Sequence, residues 1–173
     1  SSACVEKADR AVAVLRDSMP VVIVLDRLRS AFNVGNIFRL ADATRAERII
    51  TCGYTPTPPH PKLSKTARGC DTFVSASHAG DGEEAVRDLR HQGYRLYAVE
   101  TVADAQPVWS MHVEFPAVFV FGNEALGIAD ATLRLCDEVV QLPCFGRKNS
   151  VNVANCAAVI LYETLRQWRG GIP

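Results

Sequence analysis

Three short segments of the chain combine glycines and side-chain amides with charged or hydroxyl groups, the residue types that build ligand sites. They are motif 1 (residues 33–39, NVGNIFR), motif 2 (residues 121–127, FGNEALG) and motif 3 (residues 142–155, LPCFGRKNSVNVAN). Motif 1 offers Arg39, a permanently charged fork suited to phosphate, and motif 2 offers the carboxylate of Glu124. Motif 2 lacks the G-x-G-x-x-G pattern that opens a dinucleotide-binding helix, and no G-K-[ST] follows it. The two commonest phosphate-binding loops are therefore excluded.

Motif 3 holds more polar residues than the start of a helix requires. Ser150 or Asn149 is sufficient as the cap, because a single side chain satisfies the first free N–H groups. Asn152 and Asn155 are then surplus, and asparagine inside a helix is mildly unfavourable because its side chain competes with the backbone. This surplus indicates a role beyond capping. Motifs 1 and 2 taken singly also have explanations without a ligand. Motif 1 could be a capped helix with a solvated arginine, and motif 2 could be a tight turn with an exposed glutamate.

Strand-like and helix-like segments alternate along the chain, which predicts an α/β domain with a mostly parallel sheet flanked by helices. Short apolar runs predict strands at residues 20–28, 47–53, 72–78, 94–100, 116–122 and 138–144. Apolar spacing predicts helices at residues 33–46, 82–93, 130–136 and 150–168. Four prolines between residues 54 and 61 predict an irregular loop over residues 54–70. Ligands of such sheets bind beyond the carboxyl ends of the strands, where all three motifs are predicted to lie.

Composition narrows the class of protein. Lys plus Arg and Asp plus Glu are both 19 in 173 residues, so the net charge is zero and any nucleic-acid surface must be a local patch. The six cysteines form no C-x-x-C pair and the four histidines are scattered, so we expect no metal and reduced, buried thiols in a cytoplasmic protein. No apolar run is long enough to cross a membrane.

A single domain is expected over residues 1–173. The chain starts with SSA rather than Met. We therefore expect residues 1–19 to be an N-terminal extension, or the remnant of a trimmed segment, with a short helix.

The three patterns N-x-G-N-x-x-R, F-G-N-E-x-x-G and L-P…S-V-N-V-A, in this order, resemble the motifs of the SpoU/TrmH family of the SPOUT superfamily. Its members are RNA 2′-O-ribose methyltransferases, and the resemblance runs from about residue 20 to residue 167. It implies a C-terminal deep trefoil knot formed around motifs 2 and 3, with S-adenosylmethionine bound in the knot. It also implies a homodimer whose active site lies near the interface.

The resemblance assigns roles to individual residues. Arg39 corresponds to the catalytic arginine, and the polar residues around it correspond to Asn33, Glu124, Ser150 and Asn152. The residues implied to bind the cofactor are Phe121, Gly122, Asn123, Gly127, Leu142, Ser150 and Val151. Basic residues beside the motifs predict RNA contacts at Arg29, Lys62, Lys65, Arg68, Arg147 and Lys148.

The chemistry of the reaction leaves the general base open. A guanidinium stays protonated, so we expect Arg39 to grip a phosphate and stabilise the developing alkoxide rather than accept a proton. Glu124 is expected either to orient Arg39 or to take the proton through water. tRNA is favoured over rRNA as the substrate. The alternatives are a catalytically silent RNA-binding or cofactor-binding module with this fold, and an unrelated flavodoxin-like nucleotide binder.

Overall fold

The computed structural model describes residues 18–170. Its strands are β1 (Met19–Asp26), β2 (Ala46–Cys52), β3 (Ala76–Ala79), β4 (Arg95–Val99), β5 (Gln106–Pro107), β6 (Ala117–Phe121) and β7 (Glu138–Gln141). Its α-helices are α1 (Ala31–Thr44), α2 (Pro61–Ala67), α3 (Gly82–His91), α4 (Asp130–Leu135) and α5 (Val153–Gly170). Short 3-10 turns occupy Cys70–Thr72 and Val108–Ser110.

The seven strands form one sheet in the order β3-β2-β1-β6-β4-β7-β5, and every pairing is parallel. The central strands β1 and β6 are apolar and β-branched and are covered on both faces, as parallel strands require. The chain leaves β1 towards β2 but leaves β6 towards β7, on the opposite side of the sheet. Ligands of parallel sheets bind at such a reversal, which lies here where Leu25 pairs with Phe121.

Alternate residues of the strands β1, β2, β4, β6 and β7 build two hydrophobic cores, one on each face of the sheet. One core contains Phe38 of α1 and Leu161 of α5, and the other contains Val86 of α3, with Leu133 of α4 packed against it. Helices α1 and α5 therefore cover one face and α3 and α4 cover the other. This arrangement fixes the amino ends of α1 and α5 beside the reversal point.

The structure confirms the parallel α/β prediction and corrects it in the proline-rich segment. Residues 54–70 were predicted to be irregular, but they contain α2. Pro61 occupies the first turn of this helix, where proline is tolerated, and His60 caps it by accepting N–H bonds from Lys62 and Leu63.

Three further elements differ between the prediction and the structure. The predicted strand 72–78 forms only from residue 76, since the preceding residues make a 3-10 turn. The helix predicted from residue 150 begins at Val153. The two-residue β5 was not predicted, because it is too short to show periodicity. The predicted helix in the N-terminal extension lies almost wholly outside the described residues, and no helix within residues 18–170 is long and apolar enough to span a membrane.

Candidate active site

Asn123 organises the turn of motif 2. Its Oδ1 accepts hydrogen bonds from the N–H groups of Ala125 and Leu126, both at 2.8 Å. Its Nδ2 donates to the carbonyl oxygen of Arg27 at 2.8 Å, which ties the turn to the segment after β1. The backbone closes the turn through a 2.9 Å bond from Gly127 N–H to Asn123 C=O. Every polar atom of this buried amide is used, so the turn is held in one shape.

Motif 2 has no room for side chains at its two glycines. A Cβ on Gly122 would collide with the backbone of Gly127 and Ile128. A Cβ on Gly127 would lie 2.5 Å from the carboxylate of Glu100, and Gly127 has a φ of +71°, which glycine tolerates best. The same Glu100 carboxylate accepts the Ile128 N–H at 2.8 Å. The glycines therefore let the turn close against the end of β4.

Glu124 holds the start of α1. Its carboxylate accepts N–H bonds from Arg29 at 3.0 Å and Ser30 at 3.2 Å, and a side-chain bond from Asn33 at 3.4 Å. Partial burial alone raises the pKa of Glu124, but these hydrogen bonds outweigh burial and lower it below its usual range. The carboxylate is therefore ionised at neutral pH and is a weak base. None of these bonds comes from Arg39, so the expectation that Glu124 orients Arg39 stays a prediction.

Motifs 1 and 3 meet through two asparagines. The side-chain Nδ2 of Asn152 donates to Oδ1 of Asn33 at 3.1 Å. Asn152 also caps α5, because its Oδ1 accepts the Ala154 N–H at 2.9 Å. With the bond from Asn33 to Glu124, this forms an unbroken chain of side chains across all three motifs. The surplus amide of motif 3 therefore serves both as a cap and as a link between motifs.

These segments enclose a cavity of about 320 Å³ at the carboxyl ends of β4, β6 and β7. All seven residues predicted to bind the cofactor line it: Phe121, Gly122, Asn123, Gly127, Leu142, Ser150 and Val151. Glu124 and Asn152 also line it, whereas Asn33 reaches its wall only through these two side chains. The remaining wall of the cavity was not predicted from the motifs and is formed by Val99, Glu100, Thr101, Gln141, Val153 and Cys156. The position of Glu100, directly after β4, was the available signal for that wall.

Cysteine chemistry has little support at this cavity. Burial, reinforced by the neighbouring Cys144 and Glu100, raises the pKa of Cys156 to about 11. The thiol is therefore protonated at neutral pH and a poor nucleophile. All five cysteines within residues 18–170 are free. In the same part of the chain, no three His, Cys, Asp or Glu side chains converge as metal ligands.

Arg39 lies outside this cavity. It is exposed on α1 and lines a second groove of about 410 Å³ between α1 and α5, together with Ala43, Ala154 and Ala158 among others. Within residues 18–170 the guanidinium makes no hydrogen bond or ion pair. The structure thus brings Asn33, Glu124, Ser150 and Asn152 together around the cavity. Arg39 does not line that cavity and lies at the second groove instead.

The predicted RNA-contacting residues are all exposed. They occupy the turn before α1, the α2 segment and the loop of motif 3: Arg29, Lys62, Lys65, Arg68, Arg147 and Lys148. In the described part of the chain none of these six forms a salt bridge, so their charges are available to an anionic partner. None of the six lines the cavity itself.

A parallel sheet flanked by helices, with a cavity at the carboxyl ends of its strands, is typical of ligand-binding α/β proteins. The sequence model of the SpoU rRNA Methylase family matches residues 20–162, and the chain belongs to that family. A tRNA (guanosine(18)-2′-O)-methyltransferase of Thermus thermophilus is 30% identical over 155 residues, covering 89% of this chain and 79% of that protein. A 23S rRNA (uridine(2479)-2′-O)-methyltransferase of Streptomyces viridochromogenes is 32% identical over 149 residues, covering 84% of this chain but only 52% of that protein.

A solved structure places the same fold beside a cofactor. The SpoU methyltransferase AviRb from Streptomyces viridochromogenes, in complex with the cofactor AdoMet, superposes with a TM-score of 0.78 at 31% identity. The match covers 87% of this chain and 58% of that one, so the chain spans little more than half of this relative.

Proposed function

We propose that the cavity between motifs 2 and 3 binds S-adenosylmethionine and that the protein methylates a ribose 2′-hydroxyl of RNA. The chain is a member of a family of S-adenosylmethionine-dependent RNA methyltransferases. The observation that carries the proposal is the enclosure of one cavity by all seven motif residues expected to hold the cofactor. The hydrogen-bonded chain Glu124–Asn33–Asn152 forms its side nearest α1.

The cavity suits this cofactor in size and chemistry. Its volume of about 320 Å³ falls within the roughly 300–1,000 Å³ of small-molecule sites. Apolar walls such as Phe121 and Leu142 favour a flat aromatic base. The carboxylates of Glu100 and Glu124 favour a cationic ligand, and the close turn at Gly122 and Gly127 exposes backbone groups for hydrogen bonding.

Methyl transfer depends mainly on holding the methyl donor and the ribose hydroxyl in the correct relative position. S-adenosylmethionine supplies an electrophilic methyl group on a cationic sulfonium. The chain's residues hold the two reactants in line, and such positioning contributes on the order of 7–11 kcal/mol to favourable reactions. Glu124 and Asn33 fix the segment between β1 and α1, and Arg39 grips an adjacent RNA phosphate and stabilises the forming alkoxide. The identity of the proton acceptor stays open, because the lowered pKa of Glu124 makes it a weak base.

A homodimer accounts for the position of Arg39. Asn155, Val159 and Tyr162 are exposed at helical spacing on α5, and Asn155 lines the same α1–α5 groove as Arg39. We propose that a second copy packs on this α1–α5 surface and places the active site beside the interface. An exposed, largely uncharged stripe beside a groove is the surface that a symmetric dimer buries.

The order of the strands supports a C-terminal knot within one domain. Strand β7 is paired between β4 and β5, although β5 belongs to the segment joining β4 to β6. The helix before β7 packs on one face of the sheet and α5 packs on the other. We propose that residues 138–152 cross between the faces through the loop of residues 100–116, forming the trefoil knot.

A tRNA substrate is preferred on the extent of the match, since the chain spans 79% of the Thermus tRNA enzyme and 52% of the Streptomyces rRNA enzyme. Free cysteines throughout the described residues support a reducing, cytoplasmic setting. The test is transfer of label from methyl-labelled S-adenosylmethionine to bulk tRNA and to ribosomal RNA, followed by nucleoside mapping. A 2′-O-methylnucleoside in tRNA supports the full proposal, and label in ribosomal RNA alone refutes the tRNA preference.

A further inference from the structure

We infer that Tyr54 is a stacking platform for an RNA nucleobase beside the ribose that is methylated, an inference that rests on the proposed function. Tyr54 follows β2 and opens the proline-rich segment. Tyr54 is 53% exposed, yet its hydroxyl accepts a 3.0 Å hydrogen bond from Nδ2 of Asn123. An exposed aromatic ring tethered at its polar tip is arranged for contact with another molecule.

The tether places the ring at the edge of the cofactor cavity. Asn123 lines that cavity and uses the same Nδ2 to hold the carbonyl of Arg27. The backbone beside Tyr54 is also fixed, because the buried hydroxyl of Thr55 donates to the Leu25 and Cys52 carbonyls and accepts the Leu28 N–H. The ring is therefore presented at a defined position with little conformational entropy left to lose on binding.

The side chain of Arg29 lies beside the Tyr54 ring. The guanidinium carbon of Arg29 lies 6.0 Å from the centre of the Tyr54 ring, and the Arg29 N–H is held by Glu124. Phe32, in the first turn of α1, is 50% exposed. Its carbonyl accepts the Thr66 hydroxyl of α2, the helix that carries Lys62 and Lys65. Aromatic rings interleaved with arginine and lysine are the elements that bind unpaired RNA bases and their phosphates.

The positive charge near Tyr54 favours RNA over a protein as the molecule that binds there. Arg29, Lys62, Lys65 and Arg68 make no salt bridge within residues 18–170. The nearby carboxylate of Glu124 is engaged with Ser30 and Asn33 as well as with Arg29. An apolar protein partner would bury these cations without compensation, whereas RNA offers a planar base for the ring and phosphates for the cations.

The test separates stacking from a structural role through two substitutions of Tyr54. Y54F keeps the ring and loses the bond to Asn123, whereas Y54L loses both. The readouts are the affinity for fluorescein-labelled bulk tRNA and for a mixed-sequence 12-nucleotide RNA at several salt concentrations, and S-adenosylmethionine affinity by calorimetry.

Stacking predicts that Y54L weakens RNA binding roughly 5- to 150-fold while Y54F keeps most of the affinity. Y54L leaves the salt slope of binding unchanged, whereas R29Q lowers it by roughly 0.7, the value for one phosphate contact on a single strand. Cofactor affinity is the same in wild type and Y54L. Equal losses in Y54F and Y54L, a parallel loss of cofactor affinity, or a changed oligomeric state in Y54L overturns the inference.

An abasic substrate locates the stacked base. Once the methylated nucleotide is mapped, the base of its neighbour is removed from the RNA. The wild-type protein and Y54L should then bind this RNA with the same affinity, because the base that stacks on the Tyr54 ring is absent in both measurements. A difference that persists at every abasic position contradicts stacking. Failure of the wild-type protein to bind or methylate RNA refutes the proposed function itself, whereas methylation by Y54L at wild-type affinity refutes only the role of Tyr54.

Discussion

Asn33 and Asn152 are joined by a 3.1 Å hydrogen bond between their side chains although 119 residues separate them in the sequence. Asn33 passes the contact on to Glu124, and Glu124 holds the backbone at Arg29 and Ser30. One amide therefore couples the start of α1 to the start of α5 and to motif 2. A hydrogen-bonded network of this kind fixes the relative positions of the segments that form the cavity.

Removing the amide of Asn152 should loosen the cavity. N152A loses both the cap of α5 and the link to Asn33, so we expect about 1 kcal/mol of destabilisation and at least a tenfold weaker affinity for S-adenosylmethionine. N155A removes an amide three residues further along the helix that makes no side-chain hydrogen bond within residues 18–170, and it should leave cofactor affinity unchanged. Calorimetric titration checks both, and similar affinities for the two variants would contradict the coupling.

A methyl group at Gly127 should disturb the cavity more than the same change elsewhere. Gly127 and Gly93 both have positive φ, at +71° and +91°, but a Cβ meets the Glu100 carboxylate only at Gly127. G93A should cost about 1–2 kcal/mol of unfolding free energy from backbone strain alone. G127A should cost more and should also reduce cofactor affinity. Urea unfolding and calorimetry measure the two effects, and equal behaviour of the variants would rule out a steric role for Gly127.

Glu124 should stabilise the protein in a pH-dependent way. Its pKa is lowered in the folded state, so its stabilising contribution is complete above its ordinary value of 4.5 and is lost as the pH falls through the lower folded value. E124Q should therefore be less stable than wild type at pH 7, by about 1 kcal/mol for a largely exposed carboxylate. The difference should shrink below pH 4.5. Urea unfolding from pH 3 to pH 8 checks this, and a constant difference would show that the ionised carboxylate is not responsible.

Arg39 should matter for methyl transfer and not for cofactor binding. It is exposed and lies outside the cavity, so R39A should retain S-adenosylmethionine affinity while methylation falls on the order of 10²-fold or more. R87A is the control, because Arg87 is an exposed arginine of α3 on the opposite face of the sheet, paired with Glu83. Wild-type methylation by R39A would remove Arg39 from the reaction.

The strand pattern was predictable because central parallel strands must be apolar on both faces, and this gave β1, β2 and β6 to within two or three residues of their ends. The motif residues stood out because glycines and amides directly after predicted strands are typical of ligand sites at the edge of a parallel sheet. The helix α2 was hidden by prolines, one of which in fact starts it. The reason for Gly35 was also hidden, because the backbone and side chain of α2 that pack against it lie about thirty residues away. Tertiary contacts of this kind leave no periodic signal in the sequence.

The reaction itself gives the most direct test. Purified protein, methyl-labelled S-adenosylmethionine and bulk RNA are incubated, and the RNA is then hydrolysed with alkali, which does not cleave beside a 2′-O-methylated ribose. We expect label in alkali-resistant dinucleotides, present with the wild-type protein and greatly reduced with R39A. Label on a nucleobase, or no label from a protein that binds both cofactor and RNA, would contradict it.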